Sequence, residues 1–171
     1  VLSSWREMGV GSAAADAASL WQQASAEAAA SFNDGRVYAE RYVANARHIE
    51  VQVLGDGTGA VVHLWERDCT VQRRHQKLIE IAPAPGIDPG VRERVLDAAL
   101  RLASAVDYRG LGTFEFLLDA DSDAFFFIEA NARLQVEHTV TEEVLGLDLV
   151  ALQLAVAEGR SLQELGLSTP P

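Results

Sequence analysis

The chain has 171 residues, 49% of them hydrophobic, which is enough to bury a core and most simply makes one domain or a domain plus a piece. A net charge of −11 and a pI near 4.7 exclude a nucleic-acid surface, and they disfavour long-range steering of an anionic ligand, so any anion site must be local. One cysteine, Cys69, excludes an internal disulfide framework and fits a reducing compartment, while no apolar run reaches transmembrane length and the N-terminus is not a signal peptide.

Residues 12–31 are dominated by Ala, with Trp21, Gln and Glu, and predict a helix ended by Asn33-Asp34-Gly35. Strands are predicted over residues 37–43, 47–54 and 60–66, with Gly55-Asp56-Gly57 as the hairpin turn between the last two. In the second, Ile49, Val51 and Val53 face one way and His48, Glu50 and Gln52 the other, the pattern of an antiparallel sheet with a core side and a polar side. Residues 71–77 read as a further strand, with Gln72, Arg74 and Gln76 on one face and Arg73, His75 and Lys77 on the other. Asp88 as cap and Pro89 in the first turn open a helix whose Val91, Val95, Ala98, Ala99, Leu102 and Val106 recur at helical spacing. Strands at 113–118 and 124–131 flank an Asp/Ser turn, an irregular stretch follows to 137, and helices are predicted at 141–145 and 148–157, the second closed by Gly159. No internal repeat or low-complexity linker is present, and the order of elements makes an α+β domain around an antiparallel sheet. Val1-Leu2 at the start and Pro170-Pro171 at the end are what a fragment of a longer chain would show.

Three stretches carry candidate chemistry. A turn centred near Ser122 sets Glu115 against Glu129 and Thr113 against Asn131, so Glu115, Glu129 and Asn131 share a face. Directly opposed like charges destabilise a hairpin unless something compensates them, and hard oxygen ligands grouped this way suit Mg²⁺ or Mn²⁺ with substrate phosphates. The competing reading is a solvated polar face in a slightly different register. Glu66-Arg67-Asp68-Cys69-Thr70-Val71-Gln72-Arg73-Arg74-His75-Gln76-Lys77 is too polar to be buried without partners. Its basic face would hold phosphate or another small anion, or else simply blunts an exposed edge strand. Cys69 within it reads as a packing residue. In Ile128-Glu129-Ala130-Asn131-Ala132-Arg133-Leu134-Gln135-Val136-Glu137-His138, Glu137 with Arg133 forms either a general base and an anion holder or a surface ion pair.

These motifs resemble the biotin carboxylase branch of the ATP-grasp superfamily. Its carboxylase domains show G-T-x-E-F, F-x-E-x-N-x-R-x-Q-V-E-H and E-R-D-C-S/T-x-Q-R-R-x-Q-K, which stand here at 112–116, 127–138 and 66–77. Val37-Tyr38-Ala39-Glu40-Arg41-Tyr42-Val43 and Asn45-Ala46-Arg47-His48-Ile49-Glu50 match the preceding hinge-and-strand region, so the resemblance covers about residues 33–168. Within the branch, His138-Thr139-Val140-Thr141-Glu142 and residues 161–167 are more similar to the pyruvate carboxylases than to acetyl- or propionyl-CoA carboxylases.

The resemblance implies an ATP-grasp fragment in which Glu115 and Glu129, with Asn131 beside them, hold the Mg²⁺ or Mn²⁺ that bridges ATP phosphates. It implies that Glu40 and the backbone through Val43 hold adenine with Leu117 packed against it, and that His48, Gln72 and His75 line the ribose and phosphate path. Lys77, Arg133, Gln135 and Val136 would surround bicarbonate, and Glu137 would be its base. The implied reaction is ligase chemistry: ATP and bicarbonate give carboxyphosphate, and the carboxyl group passes to N1′ of biotin tethered on a carrier domain. The implied partners are that biotin carboxyl carrier domain and a carboxyltransferase domain or subunit, in a homo-oligomeric parent in the cytoplasm or mitochondrial matrix, with no nucleic acid and no membrane.

The pattern departs at the start. Residues 1–36 read as a remnant of the lid subdomain, whose lysine and glycine-rich loop are lost or missing between Leu2 and Arg6, and 37–171 as the main subdomain, truncated before its C-terminal part. A piece so composed is expected to be inactive alone. The alternatives are another ATP-grasp ligase acting on carbamoyl phosphate or amino acids, against which the Q-R-R-H-Q-K and R-L-Q-V-E-H runs argue, and a catalytically inactive nucleotide-binding domain.

Overall fold

The computed structural model describes residues 14–74 and 76–171, which fall in two compact units, Val1–Tyr42 and Val43–Pro171. The start of the chain, where the family's lysine and glycine-rich loop would stand, and His75 lie outside the described residues.

In the first unit the alanine-rich stretch forms helix α1, Ala14–Phe32. Asn33 takes a left-handed φ of 56° and donates its N–H to the Ala29 carbonyl, ending the helix where the sequence placed the stop. The strand expected over 37–43 does not form, and that stretch is irregular. Alternation there permits an extended backbone, but a strand needs a hydrogen-bonding neighbour, and the ladders of the sheet lie elsewhere.

The second unit runs β1 (Ala46–Asp56), β2 (Val61–Arg73), β3 (Gln76–Ile81), α2 (Pro89–Ser104), β4 (Arg109–Asp119), β5 (Phe125–Asn131), α3 (His138–Leu145) and α4 (Leu149–Ala157). The strands make one antiparallel sheet in the order β3-β2-β1-β4-β5. This is the α+β architecture around an antiparallel sheet that the sequence predicts. The Asp88 carboxylate accepts from the Gly90 and Val91 N–H groups at the start of α2, with proline in its first turn. Leu102 and Val106 are exposed rather than buried, because the seam turns instead through Leu96, Ala99 and Ala103.

Residues 71–77 are not a single strand. Arg74 adopts φ 52° and the chain reverses, so Gln72 stands opposite Lys77 across the β2–β3 ladder. The faces expected from simple alternation are therefore wrong: a turn built of charged residues, with neither Gly nor Pro, hides inside a polar run.

Four one-residue slips interrupt the ladders of the described strands, one of them in β2 between the pairs Asp68–Ile81 and Val71–Ile79. Between the pairs Val51–Glu66 and Val53–His63 the extra residue lies in β2, beside Trp65 at φ 61°. Between Gln72–Lys77 and Val71–Ile79 it is Leu78 in β3. Between Glu115–Glu129 and Phe116–Phe127 it is Ile128 in β5. The last corrects the uniform register: Thr113–Asn131 and Glu115–Glu129 pair as expected, whereas Leu117 meets Phe126 rather than Phe127. It also sends Phe127 to the core face, against Phe114 and Phe116, while Glu129 stays on the other.

One sheet face, with Ile49, Val51, Val53, Phe114, Phe116 and Leu118, packs on α2 through Val91, Val95, Leu96 and Ala99. The opposite face is divided along its length. At one end Leu54, Val62, Leu64 and Leu111 are covered by Leu149 and Val156 of α4 and by Leu162 and Leu167. At the other end the same face carries His48, Glu50, Gln52, Arg67 and Glu115, and this is where the polar residues converge. Cys69 is buried and unpaired with another cysteine. Among the described residues no helix is long and apolar enough to cross a membrane.

Candidate functional site

Glu115 on β4 is the hub. It is 4% exposed, and its Oε1 accepts from Asn131 Nδ2 at 2.7 Å and Gln135 Nε2 at 3.1 Å, while Oε2 lies 2.6 Å from His48 Nε2. Burial would raise its pKa, but the His48 contact and the Lys77 ammonium outweigh this and bring it to about 2. Glu129, cross-strand from it and exposed, accepts from the same Asn131 amide at 3.2 Å. The opposed carboxyl groups of the hairpin are thus partly compensated from within the protein, by one amide shared between them.

His48 and Gln72 form the next rank. The Gln72 amide nitrogen lies 2.7 Å from His48 Nδ1 and donates to the Cys69 carbonyl at 2.8 Å, which orients the imidazole towards Glu115. Leu117 is on the same face of β4 as Glu115, two residues along and paired with His48 on β1. Gln135 is buried and also accepts from the Thr113 hydroxyl at 3.0 Å.

Lys77 joins this rank to the loop. Its Nζ lies 2.5 Å from Glu50 Oε2 and 3.8 Å from Glu115 Oε1, and it donates to Glu137 Oε1. Burial alone would lower the lysine pKa, but Glu50 and Glu115 raise it above its usual value, so the ammonium is secure. For Glu137, burial would raise the pKa, but the Lys77 hydrogen bond, a backbone hydrogen bond and the charges of Lys77 and Arg67 together outweigh it, leaving the group below the ordinary carboxylate range. Glu137 and Lys77 are therefore a half-buried pair and not a surface one.

The ion-pair reading of Glu137 with Arg133 is overturned in its partner. Arg133 is exposed and donates to the neighbouring Leu134 carbonyl at 3.4 Å. Lys77 takes the place expected of Arg133 because the β2–β3 turn brings it back across the sheet. Val136 is 90% exposed beside them. Val43 is half-buried just ahead of β1, and Glu40 is exposed in the first unit. His75 lies outside the described residues.

Beneath these groups is a buried layer that sequence reasoning missed. Arg67, fully buried, gives Nε to Glu50 Oε1 at 2.6 Å and Nη1 to Gln52 Oε1 at 3.0 Å and Thr141 Oγ1 at 2.7 Å. Glu50 is thereby held between Arg67 and Lys77. Alternation had placed Glu50 and Gln52 on the polar side of β1; what it lacked was that α3 would close over that side. Glu80 on β3 also faces this layer, and no signal in the sequence marks it.

The donor set fits a hard divalent cation. Glu115 is an ionised carboxylate on β4, and Glu129 and Asn131 add carboxyl and amide oxygens from the adjoining strand. Lys77 and Glu137, an ammonium and a carboxylate, lie next to that set, so phosphate chemistry and a base are available within one small region.

These residues belong to an ATP-dependent class. The family described as "Carbamoyl-phosphate synthase L chain, ATP binding domain" matches residues 5–165, and the chain belongs to it. Within that class the resemblance is to biotin carboxylases: Pyruvate carboxylase 1 of Caenorhabditis elegans is 57% identical over 148 residues, 86% of this chain and 12% of the relative. The biotin carboxylase β,γ-ATP complex from Campylobacter jejuni superposes with a TM-score of 0.78 at 50% identity, covering 86% of this chain and 33% of that one. The biotin carboxylase domain of a thermophilic 2-oxoglutarate carboxylase, bound to bicarbonate, gives a TM-score of 0.80 at 42% identity, covering 88% and 34%. The fold is accordingly the biotin carboxylase ATP-grasp fragment, and the chain spans about an eighth of the pyruvate carboxylase it matches.

Proposed function

We propose that this chain is the central ATP-grasp part of a biotin carboxylase module that spends ATP to fix bicarbonate onto tethered biotin, within a longer ligase of the pyruvate carboxylase kind. The observation that carries the reading is Lys77. One ammonium touches Glu137 and stands 3.8 Å from Glu115, so the expected base and the expected metal carboxylate meet at a single cation. Among the relatives, one solved structure is named for an ATP complex and another for bound bicarbonate, which supports both substrates.

A Mg²⁺ or Mn²⁺ ion held by Glu115, Glu129 and Asn131 would supply charge neutralisation for the ATP phosphates. His48 and Gln72, locked to Glu115 and to each other, line the phosphate path on the same face. Leu117 offers apolar area to the base on that face and the backbone at Val43 an adenine contact, while Glu40, in the first unit, is assigned to the adenine on the motif alone. His75 is assigned to the phosphate path on the motif alone. Bicarbonate, a small anion, competes with Glu137 and Glu50 for the Lys77 ammonium, while Arg133, Gln135 and the Val136 backbone complete its surroundings.

Glu137 then takes the bicarbonate proton. Its depressed pKa makes it a weak base, but the proton becomes more acidic as the bicarbonate oxygen attacks the γ-phosphorus. ADP leaves, carboxyphosphate forms, and its carboxyl group passes to N1′ of biotin carried by a separate carrier domain, with inorganic phosphate departing and taking up the N1′ proton. A carboxyltransferase domain or subunit delivers it onward. Positioning supplies most of the catalysis, since the protein itself forms no covalent bond. The test is ATP cleavage by the full-length carboxylase with free biotin. Cleavage should depend on bicarbonate and should fall at least about a hundredfold in Lys77→Gln, the scale of a lost charge-stabilising group; bicarbonate-independent turnover of normal size would overturn the reading.

A further inference from the structure

The layer beneath the anion subsite holds one carboxyl group more than its cations can match. Arg67 on β2 and Lys77 on β3 face Glu50 on β1, Glu137 in the loop before α3, and Glu80 on β3. Glu50 and Glu137 have direct ion-pair contacts, whereas Glu80 makes no hydrogen bond or salt bridge among the described residues, and its Oε2 is buried without a partner. Oxygens of Glu50 and Glu80 and the sulfur of Cys69 on β2 all lie within 4.8 Å of one another. Strict alternation along β3 would put Lys77 and Glu80 on opposite faces. The slip at Leu78 brings them to the same one.

An ionised carboxylate in that place would be desolvated and set beside Glu50 and Glu137 with no cation of its own. Lys77 already faces Glu50, Glu137 and, at 3.8 Å, Glu115, and Arg67 is engaged by Glu50, so neither cation is left over for a further carboxylate at Glu80. Burial first, then the charges of Glu137 and Glu50, push the Glu80 pKa up to about 7, against the opposing pull of Lys77 and Arg67. Cys69 keeps its own proton as a neutral thiol, because burial and Glu50 raise its pKa too.

We propose that Glu80 is a positioning residue of the bicarbonate subsite: as a neutral acid it leaves the Lys77 charge available to the anion, and on losing its proton to solvent it competes with bicarbonate for that charge. This rests on the assignment of bicarbonate to Lys77. Glu137 stays ionised throughout the relevant window, being held below the ordinary range, so Glu80 is the carboxyl group of this layer that changes state there.

The experiment is the pH dependence of KM for bicarbonate in the full-length carboxylase from pH 6 to 8.5, with free bicarbonate calculated at each pH, for wild type, Glu80→Gln, Glu80→Met and Lys77→Gln. In wild type KM should rise several-fold as the pH passes 7, with kcat changing much less. Both Glu80 variants should hold the low KM across the range and keep kcat within about twofold of wild type at pH 6, a KM-against-kcat split that a purely structural residue would not produce. A flat wild-type KM overturns the proposal whether or not the variants fold. So does a Glu80→Gln profile that rises like wild type while Lys77→Gln raises KM at every pH. If instead Lys77→Gln leaves KM unchanged, the bicarbonate assignment itself falls, and the proposal with it.

Discussion

At Glu137 a single carboxylate must be both ionised and able to leave its partner. Lys77 keeps it ionised, and if Lys77 also receives bicarbonate as proposed above, binding of the anion would loosen the contact that weakens the base. In the full-length carboxylase Glu137→Gln should therefore lower kcat about a hundredfold or more, the usual scale for a general base, while ATP affinity changes little. If Glu137 serves only to anchor Lys77, turnover per folded molecule will stay near wild type and only the melting temperature will drop; steady-state kinetics beside a thermal melt separates the two. Glu129 is the complementary case. It is exposed and accepts from the shared Asn131 amide, so losing its charge should cost the fold little and, if it is the metal ligand proposed above, the metal much. Binding of Mn²⁺ and ATP, followed calorimetrically, should weaken more than about tenfold in Glu129→Gln, which is about 1.4 kcal/mol or more, and chelation of the metal should erase the difference between variant and wild type. Unchanged affinity with metal present would remove Glu129 from the ligand set.

At the scale of strands, the site depends on where the ladder slips. The pairing of Glu115 with Glu129 and of Thr113 with Asn131 was legible because aromatic and polar residues alternate on both strands and an Asp/Ser turn joins them. The slip at Ile128 was not, since an extra residue among Phe125, Phe126, Phe127 and Ile128 leaves no trace in an all-apolar run. Nor was the reversal at Arg74, because no glycine marks it, and with it went the placement of Lys77 against Glu137 in place of Arg133. Helix α2 was plain from Asp88-Pro89 and its spacing, since a cap and an amphipathic face are local signals. The closing of α3 over Glu50 and Gln52 was invisible for the opposite reason: a buried polar face on β1 reads as an exposed one until its cover is known. The slip makes an element-level prediction. Deleting Ile128 leaves Phe127 and Glu129 adjacent in a regular strand, still on opposite faces, so Mn²⁺–ATP affinity should stay within about threefold of wild type. Deleting Ala130 instead makes Glu129 and Asn131 adjacent, turns Asn131 away from Glu115, and should lower affinity at least about tenfold. Equal losses in the two deletions, measured by the same titration, would show that the faces are not set by this slip.

Across the second unit as a whole, one face of the sheet does two incompatible things, and the division is made by what covers it. The end with Leu54, Val62, Leu64 and Leu111 is sealed by α4 and the segment after it, while a few residues away the same strands bury Glu50, Gln52 and Arg67. A polar layer that deep is tolerable only if its groups satisfy one another, and Arg67 is the member that ties it to its cover: β1 through Glu50 and Gln52, and α3 through Thr141. Its Nη2 has no partner among the described residues, so the guanidinium is not optimal even here, and its contribution is organisation rather than surplus stability. Replacing it tests which of these matters. Arg67→Met removes one charge of a buried pair and leaves Glu50, at 0% exposure, with Lys77 alone, so denaturant unfolding should show a loss of about 3–5 kcal/mol. Adding Glu50→Gln to Arg67→Met takes away the stranded charge and should recover a substantial part of that loss. Bicarbonate-dependent turnover should not return with it, because Glu50 also fixes the Lys77 ammonium 2.5 Å from its carboxylate, and a lysine freed of that contact no longer holds its place beside Glu137. Stability recovered together with turnover would mean that the buried layer is only a scaffold. Stability that does not recover would mean that the stranded charge is not what the single variant suffers from.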